Sequence, residues 1–379
     1  MTIVTRTTSG TQITEQHYKM PAAPAQRKMV RMTSIDKNMV CSTKFQVSKN
    51  EPLPELPASC IRLRVCFAGV CSPDTQRRRN SVRNKGLMDT SLFPGYEISG
   101  IVDEIGPDVN TKLRCGDKVL LYQEEDIGFD NGYTEYVIIK NPENAIPLPD
   151  DISLEIGALL PNGGLTAYTA CLRARPYIQD CEQRKGKCNL LVVGAGGLGL
   201  WATIMASHLT GPVGTCDRNV KVIVADTNSE KLTVAKKHGC YSVVHWPRDC
   251  YEEQVIERTK DVCPDGIDVV IDFVSSPRTI SRATKFLNER GVLVVGGNSQ
   301  HTVEMNISEL AKKEQVVIGV RKGTREELLH LIQLVSTGMI SVPEFNTFKL
   351  DEADQVFQGL SDCSIHGRAI LQVSPVSLH

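Results

Sequence analysis

The chain has 379 residues, which exceeds the size at which a single hydrophobic core stops growing, so we expect two domains. With 41% hydrophobic and 23% charged residues, the composition excludes a largely disordered protein. The formal net charge of −1 excludes a strong overall attraction to nucleic acid or to an anionic membrane, so we expect a small-molecule ligand as the partner.

The first 31 residues are rich in Thr, Ser and Gln and carry five basic residues against one acidic residue, Glu15. This composition is typical of a disordered leader, and also of an organelle transit peptide. The 13 cysteines are scattered without a C-x-x-C pair, which favours a reducing compartment. A leader predicts a cytoplasmic protein, and the alternative of a transit peptide predicts a mitochondrial one.

Two patterns of secondary structure follow one another along the chain. From about residue 61 to 146, short β-branched runs separated by Gly, Pro and Asp predict a mostly antiparallel β module. From about residue 190, apolar strands alternate with helices, which predicts a parallel doubly wound sheet. Helix and strand signals after about residue 324 predict that the chain returns to the β module. The fold class is therefore α/β.

A glycine-rich turn, Gly194-Ala195-Gly196-Gly197-Leu198-Gly199, follows the apolar strand LLVV and opens an uncharged helix. In a dinucleotide-binding turn, one glycine makes the tight turn and the next lets the backbone approach a pyrophosphate. The third lets the helix pack on the strand, and the helix N-terminus supplies N–H donors. The strand before and the helix after favour nucleotide binding over a purely structural turn.

The next strand ends in an acidic residue, Asp226, which bears on the choice of nucleotide. A carboxylate there accepts hydrogen bonds from a ribose 2′-OH and repels a 2′-phosphate, so NAD(H) is preferred, with NADP(H) as the alternative. The alternative interpretation of Asp226 is an exposed carboxylate at a strand end. Lys231, near the start of the following helix, is a candidate contact to the ribose or an ordinary surface lysine.

Six motifs occur in an order that resembles the medium-chain dehydrogenase/reductase superfamily, over about residues 40 to 375. They are Gly69–Asp74, Pro94–Gly100, Gly116–Val119, Leu165–Tyr168, the glycine-rich turn and Gly367-Arg368.

The resemblance implies a GroES-like β domain formed by residues 32–170 and 325–379, and a Rossmann NAD(H)-binding domain formed by residues 171–324. It places the active site in the cleft between them and implies a homodimer. Arg368 resembles the family arginine near the pyrophosphate. Further candidate cofactor contacts are Thr166, Val274 and Gly296.

The sequence departs from the zinc-dependent members of that family at the metal site. Cys71 and Glu97 match the family pattern, whereas Tyr96 stands at the histidine position and Asn162 at the position of the second cysteine. Neutral phenol and amide groups are poor zinc ligands. The segment QEEDIGFDNG replaces the four-cysteine structural zinc lobe. We therefore expect no zinc.

The loss of zinc constrains the reaction, because unactivated alcohols need a metal to stabilise the alkoxide. An activated alkene, a quinone or an activated carbonyl accepts hydride from NADH with less assistance, as in the zinc-independent quinone oxidoreductase branch of the family. The alternatives are a zinc-independent alcohol or aldehyde dehydrogenase and a catalytically silent NAD(H)-binding sensor or scaffold.

Four polar side chains are candidates for the catalytic cleft: Cys71, Asp74, Tyr96 and Asn162. Tyr96 is the best hydrogen-bond donor, since its phenol is neutral at pH 7. Its alternative interpretation is an aromatic ring that fills the space of the metal. Cys71 is either a reactive thiol or an inert relic, and Asp74 and Glu97 are expected to organise loops.

Overall fold

The computed structural model describes most of the chain beyond residue 42 and shorter stretches before it. The described residues are 5–7, 10–12, 26–34, 43–70, 95, 97–123, 132–209, 219–297, 299, 301–362, 364–365 and 367–376. None of the helices within these ranges is long and apolar enough to cross a membrane.

Two antiparallel hairpins form the first described part of the chain. Their strands are β1 (Thr5–Thr7), β2 (Gly10–Gln12), β3 (Gln26–Ser34) and β4 (Thr43–Pro52). Strand β3 begins inside the expected leader. Its residue Val30 is fully buried in an apolar core, and the Val30 N–H donates a hydrogen bond to the backbone carbonyl of Tyr133. Residues 26–31 of the expected leader thus lie in β3.

A β sheet follows, as the β-branched runs predict. Its first strands are β5 (Ile61–Val70), β6 (Glu97–Ile105), β7 (Lys118–Leu121), β8 (Tyr136–Ile139) and β9 (Ala145–Pro147). All their pairings with one another are antiparallel. A 3-10 turn, Pro142–Asn144, precedes β9.

A continuous helical stretch leads away from this sheet. Helix α1 (Leu154–Leu159) passes into a π-helical turn, Leu160–Gly164, and then into the long helix α2 (Leu165–Lys185). Ser153 caps α1 by accepting a hydrogen bond from the backbone N–H of Ile156, and Gly186, with φ of 68°, ends α2. A π-helical turn displaces backbone groups from the regular α-helical ladder and is frequent at functional sites.

A parallel sheet with helices follows α2, which confirms the predicted doubly wound architecture. Its strands are β10 (Cys188–Val193), β11 (Val220–Asp226), β12 (Ser242–His245), β13 (Ile267–Asp272), β14 (Leu287–Val295) and β15 (Val316–Gly319). Its helices are α3 (Gly197–Leu209), α4 (Ser229–Lys237), α5 (Glu252–Val262), α6 (Pro277–Phe286) and α7 (Ile307–Lys312).

The strand order is β12-β11-β10-β13-β14-β15, and every pairing is parallel. The order reverses between β10 and β13. In open α/β sheets, ligands bind in the crevice beyond the carboxyl ends of the strands at such a reversal.

The chain then returns to the first sheet. Helix α8 (Arg325–Ser336), strand β16 (Phe345–Lys349), a 3-10 turn (Leu350–Glu352), helix α9 (Ala353–Ser361) and strand β17 (Arg368–Gln372) complete it. Strand β17 pairs antiparallel with β5 and parallel with β16. Among the described residues, seven strands thus form this sheet, and its members come from both ends of that part of the chain.

Candidate nucleotide-binding and active site

The glycine-rich turn between β10 and α3 has a separate geometric reason for each of three glycines. Gly194 has a φ of 97°, which favours glycine. A Cβ on Gly199 would lie 1.6 Å from the carbonyl oxygen of Gly194, so only glycine lets helix and strand pack this closely. A Cβ on Gly196 would meet no atom within 4 Å and would instead fill open space. The turn therefore presents bare backbone at Gly196, which fits a dinucleotide pyrophosphate.

Helix α3 begins at Gly197, and Leu198 follows in its first turn. The first N–H groups of a helix have no partner within the helix and carry its positive dipole end. These groups lie next to the open backbone of Gly196. The pattern of strand, turn and helix therefore provides an anion-binding terminus beside a space that glycine keeps free.

The acidic residue at the end of β11, Asp226, is fixed against the same turn. Its Oδ2 accepts a hydrogen bond of 2.6 Å from the N–H of Ala195, and its Oδ1 accepts one of 2.8 Å from Asn228 N–H. Asn228 in turn caps α4 by accepting from the N–H groups of Glu230 and Lys231. The carboxylate is half-buried at the turn, and Lys231 lies in the first turn of α4.

The carboxyl ends of β13 and β14 form the other side of the crevice. Val274 exposes 47% of its surface, and its Cγ2 lies 3.0 Å from where a Cβ on Gly194 would be. Gly296 packs against the Phe273 ring, which a Cβ on Gly296 would approach to 3.0 Å. Val274 and Gly296 thus lie where the strand order reverses, on the side of β13 and β14.

A buried residue that the sequence analysis missed, Asp272, holds this side together. Its Oδ1 accepts hydrogen bonds from the N–H groups of Val274 and Ser275, at 2.7 and 2.8 Å. Its carbonyl oxygen accepts from the N–H of Gly296. Burial raises the pKa of the Asp272 carboxyl, although these backbone donors oppose the shift. The two side-chain bonds are local, and the bond from Gly296 depends on the adjacency of β13 and β14.

The π-helical turn brings two other candidates to the site. Asn162 lies within the turn and Thr166 in the first turn of α2, and both are half-buried among buried neighbours. The N–H of Gly163 donates a 2.7 Å hydrogen bond to Oε1 of Glu97. Glu97 opens β6 and follows Tyr96 directly in the chain. Glu97 therefore ties the first sheet to the π-helical turn that carries Asn162.

Glu97 also forms a buried ion pair with Arg368, the first residue of β17. The Arg368 side chain is 4% exposed and lies against two glycines. A Cβ on Gly197 would lie 2.6 Å from Arg368 Cδ, and one on Gly163 would lie 3.1 Å from its Cζ. Arg368 is thus adjacent to the glycine-rich turn, and its charge is neutralised by Glu97.

Three of the four catalytic candidates, Cys71, Asp74 and Tyr96, lie outside the described residues. Their described neighbour Gly95 lies against Gly132, because a Cβ on Gly95 would approach Gly132 Cα to 2.6 Å. Glu97 and Arg368 of the first sheet thus lie against the π-helical turn that contains Asn162, and Arg368 lies against the glycine-rich turn. The groups brought together can bind a dinucleotide and place it beside a second ligand.

Two family models match this chain. A model described as an alcohol dehydrogenase GroES-like domain matches residues 58–150, and one described as a zinc-binding dehydrogenase matches residues 197–337. Together they match more than half of the chain, with the first model on the β module and the second on the parallel sheet.

Curated relatives span nearly the whole chain at low identity. An NAD-dependent alcohol dehydrogenase of Saccharolobus solfataricus is 26% identical over 348 residues, covering 84% of this chain and 94% of that protein. A protein described as a probable quinone oxidoreductase, of Leishmania amazonensis, is 26% identical over 327 residues, covering 86% and 84%.

Solved structures share the fold. The acetophenone reductase of Geotrichum candidum, in complex with NAD, superposes with a TM-score of 0.72 at 20% identity, covering 93% of this chain and 98% of that one. The alcohol dehydrogenase of Aeropyrum pernix superposes with a TM-score of 0.74 at 23% identity, covering 91% and 99%. The architecture of a GroES-like domain with a Rossmann-like parallel sheet is thereby confirmed.

Proposed function

The chain belongs to the medium-chain dehydrogenase/reductase superfamily and is an NAD-dependent oxidoreductase, and we propose that it reduces an activated alkene, quinone or carbonyl without zinc. The observation that supports NADH binding is the open backbone at Gly196, which lies beside the Asp226 carboxylate. The further proposals, zinc independence and the substrate class, rest on the side chains at the metal-ligand positions.

Each side of the crevice has a role in the proposed binding of NADH. The backbone at Gly196 and the first turn of α3 bind the pyrophosphate, and Asp226 accepts hydrogen bonds from the adenosine ribose. Val274 offers an apolar surface beside the turn. The cofactor supplies a hydride when bound. Asp272 fixes the loop that carries Val274, so the crevice keeps its width.

The proposed reaction needs a donor for the oxygen atom that gains negative charge as hydride adds to the substrate. Tyr96 supplies it through its phenolic O–H, and the amide of Asn162 is a second candidate. Glu97 is a positioning residue, because its two carboxylate oxygens are engaged by Gly163 N–H and by Arg368. A proton from solvent completes the reduced product.

The donor set supports a reaction without zinc. A phenol at position 96 and an amide at position 162 stand where zinc-dependent relatives carry histidine and cysteine, and neither is a preferred zinc ligand. The matching model is described as a zinc-binding dehydrogenase, so zinc independence is a property that we propose for this chain.

The experiment measures NADH oxidation with a panel of quinones and α,β-unsaturated carbonyl compounds, and NAD⁺ reduction with a panel of alcohols. We expect turnover with at least one quinone or enone, and the same rate after treatment with a strong chelator. Turnover only with alcohols, abolished by the chelator and restored by zinc, would contradict the proposal.

A protein that binds NADH, as followed by fluorescence, but turns over no substrate would favour the sensor or scaffold alternative. A homodimer is a further proposal from the family resemblance, and sedimentation equilibrium measures it.

A further inference from the structure

A second cluster of polar side chains lies at the amino ends of β10 and β13, the sheet edge opposite the nucleotide crevice. Cys181 near the end of α2, Cys188 at the start of β10 and Asp268 in β13 bring two sulfur atoms and a carboxylate oxygen within 4.8 Å of one another. All three residues are buried, and both cysteines are free thiols. Among the described residues this is the one cluster of three such ligand atoms.

The carboxylate of this cluster is ionised and held in one orientation. Its Oδ1 accepts hydrogen bonds from Lys185 Nζ at 2.6 Å and from Asn288 Nδ2 at 2.9 Å, and its Oδ2 accepts from Asn189 N–H at 2.9 Å. Burial opposes the charge, but the hydrogen bonds from Asn189 and Lys185 bring the pKa of Asp268 below its usual value. The carboxylate is therefore a fixed negative charge facing two thiols.

The two thiols are neutral in the absence of a ligand. Burial raises the pKa of both Cys181 and Cys188, and the Asp268 carboxylate adds to the shift. Cys181 donates its S–H to the carbonyl oxygen of Lys187, at 3.3 Å. That carbonyl oxygen therefore lies beside the cluster and is a candidate for the fourth ligand.

We propose that Cys181, Cys188 and Asp268 bind a thiophilic divalent cation of the zinc type, with the Lys187 carbonyl or a water at the fourth position. Tetrahedral zinc sites combine sulfur ligands at about 2.3 Å with oxygen ligands at about 2.1 Å, so neighbouring ligand atoms lie roughly 3.5–3.8 Å apart. The three ligand atoms of the cluster lie within 4.8 Å of one another, so binding would draw them closer together. Thiolates select such cations over magnesium or calcium.

The charge balance of the cluster favours the exchange of two thiol protons for one divalent cation. One divalent cation replaces two thiol protons, which pass to solvent, so the net charge of the buried cluster is the same before and after binding. Lys185 does not need to leave, because it neutralises Asp268 in both states. A hydrogen-bonded partner behind a ligating carboxylate is the usual arrangement around protein-bound metals.

The bound cation would join three elements that otherwise meet through hydrogen bonds, apolar contacts and the Lys185–Asp268 ion pair. It would fix the end of α2 to the first residues of β10 and to β13. Since the glycine-rich turn follows the other end of β10, the site is separate from the nucleotide crevice. We expect the cation to stabilise the fold without changing NADH affinity, so the proposal is independent of the proposed reaction.

The test titrates the full-length, reduced, chelator-treated protein with Co²⁺, followed by displacement with Zn²⁺. We expect thiolate-to-cobalt charge-transfer absorption that saturates at about one equivalent and disappears on addition of zinc. About two protons should be released per cation, measured with a pH indicator. The Tm should rise by a few degrees, because the cation binds only the folded state.

Two variants assign the site. The double variant Cys181→Ser/Cys188→Ser should lose the charge-transfer absorption and the rise in Tm. The control is Cys171→Ser, which replaces a buried cysteine of the same helix whose thiol contacts the Ala202 carbonyl instead; it should retain both signals. NADH affinity should be the same in all three proteins.

Absorption that is missing in the wild-type protein, or that persists in the double variant, would overturn the proposal. So would conversion of the two thiols to a disulfide by a small disulfide reagent in a protein that binds no cobalt, since the cluster would then be a redox pair. If the double variant fails to fold, the single variants Cys181→Ala and Cys188→Ala take its place. Each should lower cobalt affinity on the order of tenfold or more.

Discussion

The carboxylate of Asp226 accepts a 2.6 Å hydrogen bond from the backbone N–H of Ala195, which fixes the end of β11 against the glycine-rich turn. A negative charge in this place favours a ribose 2′-OH over a 2′-phosphate. We expect NADH to bind more tightly than NADPH, and Asp226→Asn to reduce that preference by roughly tenfold, about 1.4 kcal/mol. Asparagine keeps an oxygen that accepts from Ala195.

Fluorescence titration of both nucleotides measures this preference. Glu253→Gln, which removes an exposed charge from α5, is the control and should leave it unchanged. Equal or tighter binding of NADPH by the wild-type protein contradicts the assignment of Asp226.

Substitutions at two glycines of the same turn should have opposite effects on binding and stability. Gly196→Ala places a methyl group in open space, so the fold should keep its Tm while NADH affinity falls on the order of tenfold or more. Gly199→Ala drives a Cβ into the Gly194 carbonyl and should lower the Tm or prevent folding. Calorimetry measures the Tm of each variant, and NADH titration measures its affinity. If Gly196→Ala binds NADH as tightly as the wild-type protein, the pyrophosphate does not lie at Gly196.

The buried pair of Glu97 and Arg368 should dominate the stability of the contact between the first sheet and the π-helical turn. Glu97→Gln leaves the Arg368 guanidinium buried without its counter-charge, which typically costs about 3–5 kcal/mol of unfolding free energy. Glu104→Gln removes a half-exposed partner of Arg62 and should cost about 1 kcal/mol or less. Urea unfolding of both variants measures the difference, and equal losses would show that the buried pair is replaceable.

Tyr96 should contribute to turnover and not to NADH binding. Tyr96→Phe keeps the ring and removes the hydroxyl that we propose as donor to the substrate oxygen. Loss of one such donor lowers kcat by about 10²–10³. Steady-state kinetics with a quinone or enone substrate, together with NADH titration, measure both quantities. Unchanged kcat would mean that Tyr96 only fills space.

The sequence predicts the strand, the glycine-rich turn and the helix of the proposed nucleotide site from local features. Strand, glycine turn and helix follow one another in the chain, so the role of Gly194, Gly196 and Gly199 can be read directly. Asp226 follows at the end of the next strand. The parallel sheet is equally readable, since its apolar strands alternate with helices.

The remaining features depend on contacts between distant parts of the chain. Glu97 and Arg368 are 271 positions apart, and neither residue type nor spacing indicates that they pair. The burial of Asp272 and its backbone bond to Gly296 are not indicated by the sequence, because they depend on β14 lying beside β13. Composition also does not show that Val30, inside the expected leader, is buried in an apolar cluster and donates a backbone hydrogen bond to Tyr133.

The pairing of β17 with β5 sets an order for folding during synthesis. The six strands of the parallel sheet are contiguous in the chain, from β10 to β15, so that sheet can close as soon as β15 has left the ribosome. The first sheet has to wait until β17 emerges, because β8 covers only Ile61–Arg64 on that edge of β5, and Phe67–Val70 gain their partner there from β17. An exposed strand edge recruits other strands. We therefore expect nascent chains to depend on chaperones during that interval more than at any earlier stage.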